Sequence, residues 1–309
     1  MNASQTNTTD PIITPLIADP WDHYALLDSG HGRKLERYGK VTVDRPEPQA
    51  LWSPSLPESE WAKADATFTN TGGEDGDSGK WDIRGKTPEA WNVIWKDITM
   101  VCRLMSFRHM GLFPEQLTHW DWVNHQVAST QNGDNDNQLN ILNLFAYTGA
   151  ASLAAAAAGA QVTHLDASKK AIQWAKENQI ASNMEDKPIR WICDDAKAFV
   201  ARELRRGRKY DGIIMDPPKF GRGPDGERWQ IEEDLVEFMK NCTALLSDNP
   251  KFMIITAYAM RLSSVSLAAI MEDVTKHLGG KIEFGELLIK QEHGNRHLST
   301  SLYARWSAD

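Results

Sequence analysis

The run Asp216-Pro217-Pro218-Lys219-Phe220 sets a carboxylate directly before two prolines. Their rings fix φ twice and the first pushes Asp216 towards extended backbone, so the carboxylate and nearby carbonyls form a preorganised set of hydrogen-bond acceptors. Three other segments carry matching chemistry. Ile141 to Gly149 reads as a strand followed by a loop (Phe145, Ala146, Tyr147, Thr148, Gly149), and an alanine-rich helix starts at Ala150. Gly149 removes a Cβ where a ligand would approach the first free N–H groups of that helix. Asp166 then ends the strand-like Val162-Thr-His-Leu-Asp166, where an acid accepts hydrogen bonds from a ribose diol. Trp191-Ile-Cys-Asp-Asp-Ala196 offers two carboxylates, one to cap the next helix and one to reach an adenine amino group, and Asp195 is assigned to adenine. A βα turn with a helix cap accounts for Gly149 and Asp166 alone, and a Pro-Pro stop for Asp216 alone; neither accounts for these features in register at four strand ends.

Those strand ends need a sheet. From residue 139 strand-like and helix-like segments alternate: strands at about 139–145, 161–165, 189–193, 211–215 and 251–257, helices at 149–158, 168–181, 195–206, 230–246 and 263–278. Such alternation predicts parallel βαβ units in an α/β, doubly wound, Rossmann-like sheet. The last strands, about 281–290 and 299–306, have no helix between them and predict an antiparallel edge. Residues 1–85 read as a small β-rich N-terminal domain, 86–138 as a connecting helical segment and 139–309 as the catalytic domain. Asn70 to Gly79 and Ser129 to Gln138 are polar, turn-rich stretches that predict loops.

The 309 residues are 41% apolar and 25% charged, which excludes global disorder. No stretch approaches the roughly 18 apolar residues that span a bilayer, and the first residues lack a cationic and an apolar signal region, so a cytoplasmic protein without a membrane partner is expected. Cys102, Cys193 and Cys242 form no metal-ligand spacing, and no metal is expected. The net charge of -8 disfavours indiscriminate polyanion binding. Eight of the twelve tryptophans stand at or before Trp122, where they read as core anchors of a small β domain or as base-stacking platforms. The basic run Arg202, Arg205, Arg206, Arg208, Lys209 reads as a solvated helix end rather than a phosphate site. The turn-rich loop Gln291 to His297 is a candidate recognition surface, with no metal expected at His293 or His297.

Asn143 to Gly149, Asp166, Asp194-Asp195-Ala196 and Asp216 to Phe220 resemble the successive motifs of class I S-adenosylmethionine-dependent methyltransferases. More narrowly, residues of about 100–306 resemble the branch containing bacterial 23S ribosomal RNA methyltransferases, in the form without a PUA domain. The resemblance implies a seven-stranded methyltransferase sheet and S-adenosyl-L-methionine as cofactor. It places the ribose at Asp166 with Ala167 and Ser168 beside it, the adenine near Asp194, Asp195 and Ala196, and the methionine moiety over Phe145 to Gly149 and against Asp216. Phe107 to Gln116 resembles the segment that supplies a glutamine to that moiety, so Gln116 is carried over, although the arginine that often follows is Leu117 here.

Because a sulfonium methyl is already electrophilic, catalysis is positioning and charge management. For an exocyclic amine, Asp216 and the Pro217 carbonyl accept its N–H groups, Pro218 holds them rigid and Phe220 stacks on the ring; Lys219 stands between the prolines and the aromatic, as in the ribosomal RNA branch. Carbon-5 methylation of cytosine would need a cysteine thiolate at the end of the fifth strand, and Ile254 to Met260 has none; Tyr258 stands there as a pocket wall or a core tyrosine. The expected activity is methylation of a nucleobase of RNA, ribosomal RNA above all. Methylation of a protein or small molecule, or a binding module without turnover, stays open. A nicotinamide-dependent oxidoreductase is disfavoured by the missing G-x-G-x-x-G.

Overall fold

The computed structural model describes residues 12–71, 78–131, 138–258 and 261–308. Most of the two polar stretches expected as loops therefore lies outside the described residues. The chain opens with strands β1 (Leu16–Ala18), β2 (Tyr24–Gly30), β3 (Arg33–Tyr38) and β4 (Val41–Pro46), a single turn α1 (Glu58–Trp61), then β5 (Ala66–Asn70), β6 (Gly79–Ile83), β7 (Trp91–Trp95) and β8 (Ile98–Cys102). A 3-10 turn at Pro114–Gln116 leads into α2 (Leu117–Gln131). There follow β9 (Asn140–Leu144), α3 (Ala150–Ala157), β10 (Gln161–Asp166), α4 (Lys169–Ala181), β11 (Ile189–Cys193), α5 (Ala196–Arg205) and β12 (Gly212–Met215). A short hairpin, β13 (Phe220–Arg222) and β14 (Arg228–Gln230), precedes α6 (Ile231–Ala244), β15 (Phe252–Ala257), α7 (Ser264–Thr275), β16 (Lys281–Lys290) and β17 (His297–Ser307).

The large sheet has the order β1-β16-β17-β15-β12-β9-β10-β11. Strands β9, β12 and β15 are apolar almost throughout because helices cover both faces, and Leu142, Leu144, Ile213, Met215, Met253 and Ile255 belong to one core with Phe199, Phe238 and Trp306. Strand β17 runs antiparallel to both β15 and β16, as the missing helix between the last two strands implies, but it is inserted between them, and the edge beyond β16 is the parallel β1. The sheet carries the seven expected strands and one more. Leu16, Ile17 and Ala18 pair in parallel with Leu287, Leu288 and Ile289; a three-residue strand has no periodicity of its own and exists only through that partner.

Helix starts follow their caps. Ser168 Oγ accepts from Ala171 N (3.2 Å) and Asp195 Oδ1 from Ala198 N (2.8 Å), while Gly149 stands at the head of α3 with φ +89°. Strands β2 to β6 form a second sheet, and β7 and β8 a hairpin. Of the N-terminal tryptophans, Trp61, Trp91 and Trp120 are buried, as core anchors are. The N-terminal sheet encloses a buried ion pair: Arg45 Nε donates to Glu36 Oε2 (2.6 Å) and Arg45 Nη1 to the Arg108 carbonyl (2.9 Å). Burial pushes the Glu36 carboxyl up, but the Arg45 and Lys34 charges overcome it and bring it down to about 2.

Candidate active site

The carboxyl ends of β9, β10, β11 and β12 open into a cleft of about 640 Å³. Its lining includes Phe145, Tyr147, Asp166, Ala167, Ser168, Asp194, Asp195, Ala196, Asp216, Pro217, Pro218, Lys219, Phe220 and Tyr258. A smaller space of about 50 Å³ adjoins it and holds Gln116, Ala146, Thr148 and Gly149, with Phe113, Phe145, Tyr147 and Asp216 shared between the two. Every residue expected to hold the cofactor or the acceptor thus meets one of two adjoining spaces at the strand ends.

Asp166, last residue of β10, bridges two loops. Oδ2 accepts from Tyr147 N and Oδ1 from Ser168 N, each at 2.8 Å. Burial raises its carboxyl above the usual range, against the pull of those two N–H groups. The loop that Asp166 holds is itself unusual: Phe145 (φ 56°) and Tyr147 (φ 48°) are left-handed, and both residues line the cleft. Beneath the loop, Asn143 Nδ2 donates to Ser152 Oγ (2.9 Å), and Ser152 Oγ lies 2.9 Å from His164 Nδ1. Burial lowers the His164 imidazole to about 3, so it is neutral and serves as a structural partner. A Cβ at Gly149 would lie 3.2 Å from Ala175 Cβ, in a backbone conformation that side chains rarely adopt.

The paired acids after β11 divide their work. Asp195 Oδ1 caps α5 as described, and Asp194 is held by the Arg202 guanidinium while its Oδ1 accepts from Asp195 N (2.9 Å). Arg202, from the basic run, is thus a partner of the site's own acid; Arg206 pairs with Glu203, and Lys209 donates to the Ala244 carbonyl, which fits a helix end.

Asp216 follows β12. Gln116 Nε2 donates to Asp216 Oδ2 (3.2 Å) and to Tyr258 Oη (2.8 Å), while Asp216 Oδ1 is buried without a hydrogen-bond partner. Burial first, and the Glu115 carboxyl second, push Asp216 well above the usual carboxylate range. Burial, with Asp216 and Glu115, also raises the Tyr258 phenol. An unpartnered buried oxygen beside two fixed prolines is an acceptor awaiting a donor.

Sequence reasoning did not find Trp229, whose Nε1 donates to the Pro218 carbonyl (2.7 Å) and whose ring lies 4.9 Å from that of Phe145. A lone tryptophan before a helix carries no signal of that role. Arg108, His109 and Phe113 also line the cleft, and only their place in the segment before Gln116 hinted at it. The 291–297 loop does not line the cleft: Gln291 donates through Nε2 to Asp28 Oδ1 (2.8 Å), and its Oε1 accepts from Ser29 Oγ (2.6 Å), tying that loop to the N-terminal sheet. Among the described residues, no group of three or more His, Cys, Asp or Glu side chains could hold a metal ion, and no helix is long and apolar enough to cross a membrane.

A family model described as S-adenosylmethionine-dependent methyltransferase matches residues 72–249. The crystal structure of the SAM-dependent methyltransferase from Agrobacterium tumefaciens superposes with a TM-score of 0.91 at 44% identity, covering 97% of this chain and 95% of that one. Ribosomal RNA large subunit methyltransferase K/L of Shewanella frigidimarina is 35% identical over 130 residues, 41% of this chain and 18% of that protein. Its counterpart from Vibrio cholerae is 27% identical over 164 residues, 52% and 22% of the two chains. The chain thus spans less than a quarter of the length of these curated relatives.

Proposed function

We propose, for a chain that belongs to the S-adenosylmethionine-dependent methyltransferase family, that its acceptor is an exocyclic amine of a nucleobase in RNA, ribosomal RNA above all. The carrying observation is Asp216 Oδ1, a buried oxygen without a partner beside Pro217 and Pro218. The ribosomal RNA relatives support the substrate class, and a cytoplasmic location goes with it.

The residues present fit the cofactor. Asp166 offers a carboxylate at the second strand end, Gly149 leaves the α3 N–H groups bare of a Cβ, and Gln116 supplies an amide to the methionine end. The bound cofactor supplies one piece of chemistry, a methyl group made electrophilic by its sulfonium. The chain does the rest. The Asp216 carboxylate and the Pro217 carbonyl accept the two N–H bonds of the incoming amine, which fixes the direction of its lone pair. Those donors favour the ionised form of Asp216, and its raised pKa suits it to take the proton that the methylated nitrogen sheds. Phe220, 49% exposed at the cleft, stacks on the base, and Lys219 Nζ lies 5.3 Å from its ring. Residues 1–85 and 86–138 act as a buttress: Arg45 holds the Arg108 carbonyl at the start of the segment that ends in Gln116.

The test is transfer of labelled methyl from S-adenosylmethionine to separated RNA, protein and metabolite fractions from cells lacking the protein. Label in RNA that disappears with Asp216→Asn is expected; label only in protein or metabolites would overturn the RNA reading.

A further inference from the structure

In the β13–β14 hairpin, Phe220 pairs with Gln230, Gly221 with Trp229 and Arg222 with Arg228. Side chains alternate between faces, so the hairpin has two unlike sides. On one, Trp229 is buried against Phe145 and pinned to the Pro218 carbonyl, with only Gly221 opposite. On the other stand exposed Phe220, Arg222 and Arg228. The hairpin is fixed at its turn as well, since a Cβ at Gly223 would come within 2.9 Å of Asp195 Cβ.

Two arginines directly opposite each other on a ladder repel, at a distance where cross-strand pairs interact strongly. Arg228 leans on the Gln230 side-chain oxygen and lies 3.8 Å from Glu233, whereas no hydrogen bond or ion pair reaches the Arg222 side chain among the described residues. Arg222 and Phe220 both line the cleft that holds Asp216. A like-charged pair built into a rigid hairpin beside the acceptor pocket is complementary to a bridging anion, and guanidinium forks suit phosphate oxygens. With a chain charge of -8, capture of a polyanion has to be local in this way.

We propose that Arg222 and Arg228 clamp one backbone phosphate of a single-stranded polynucleotide, so that the hairpin's outer face seats the strand while Phe220 stacks on the reacting base. The inference rests on the RNA reading above. A duplex would keep its bases stacked and withhold the face that Phe220 needs, so the strand is unpaired there.

The experiment compares methyl transfer to RNA by the unaltered chain and by the Arg222→Gln, Arg228→Gln double variant over a series of salt concentrations, with cofactor affinity measured separately by calorimetry. Loss of the clamped phosphate should raise KM for RNA at least about tenfold and make the dependence of log KM on log salt shallower by about 0.7, the slope for one phosphate on a single strand. Cofactor affinity should stay within about twofold. Unchanged KM and salt slope, with RNA still methylated, would overturn the clamp alone. An equal fall in cofactor affinity would assign the pair to the cofactor instead and overturn it too. If the unaltered chain methylates protein or metabolites but no RNA, both the clamp and the reading beneath it fail.

Discussion

Gln116 Nε2 lies 3.2 Å from Asp216 Oδ2 and 2.8 Å from Tyr258 Oη, so one amide at the head of α2 ties together residues 100 and 142 positions away, at two neighbouring strand ends. This bridge couples the segment before the sheet to the acceptor itself. It also occupies one Asp216 oxygen and leaves the other for a ligand.

Gln116→Ala should weaken cofactor binding about tenfold, the worth of one hydrogen bond to a charged group, while the buried surroundings keep the fold. Isothermal titration with S-adenosylmethionine reads this directly. Gln116→Glu should be worse than alanine, because it would set a third carboxyl beside Asp216 and Glu115.

Asp216→Asn should reduce turnover at least about a hundredfold, since it removes the proton acceptor and one preorganised hydrogen-bond acceptor together. Stability should move the other way. The folded pKa of Asp216 is raised above its unfolded value, so between the two the folded state holds the extra proton and stability falls as pH rises through that window. The asparagine variant has no such group and should be the more stable protein at neutral pH, with a flatter stability profile. Urea unfolding at a series of pH values checks both points.

Asp166→Asn should raise the cofactor dissociation constant by about ten- to a hundredfold, from the loss of a charged acceptor. The raised pKa of Asp166 adds a pH signature: its carboxyl protonates at a higher pH than an ordinary aspartate, and affinity should fall as pH drops through it. The asparagine variant should lose that pH dependence in titrations across acidic pH.

Arg45→Met should cost about 3–5 kcal/mol, because it leaves the Glu36 carboxylate buried and unpaired. Adding Glu36→Gln should recover much of the loss, and denaturant unfolding of the two single variants and the double variant measures the coupling. Glu36 also ties the sheet to acid stability. Its folded pKa of about 2 lies below the unfolded value, so its contribution is present above the unfolded value and fades as pH falls towards 2.

The parallel sheet was legible because buried strands such as Ile213-Ile-Met215 and helices such as the alanine run after Gly149 speak locally, through burial and propensity. The strand-end acids were legible for the same reason, each sitting at the end of a readable element. What escaped is held by contacts distant in sequence. Strand β1 is set by pairing with residues some 270 positions later, and Gln291 is turned away from the cleft by Asp28 and Ser29, 263 and 262 positions earlier. Trp229 takes its role from the Pro218 carbonyl and the Phe145 ring, which come together only once β9 and β12 are adjacent.

The most direct measurement takes ribosomal RNA from cells lacking this protein, methylates it in vitro with labelled S-adenosylmethionine, and digests it to nucleosides for mass spectrometry. Label on the exocyclic amine of a single nucleoside, lost with Asp216→Asn, is the predicted result. Label on a ring carbon or a ribose hydroxyl, or RNA that takes up none while another fraction does, would contradict the account.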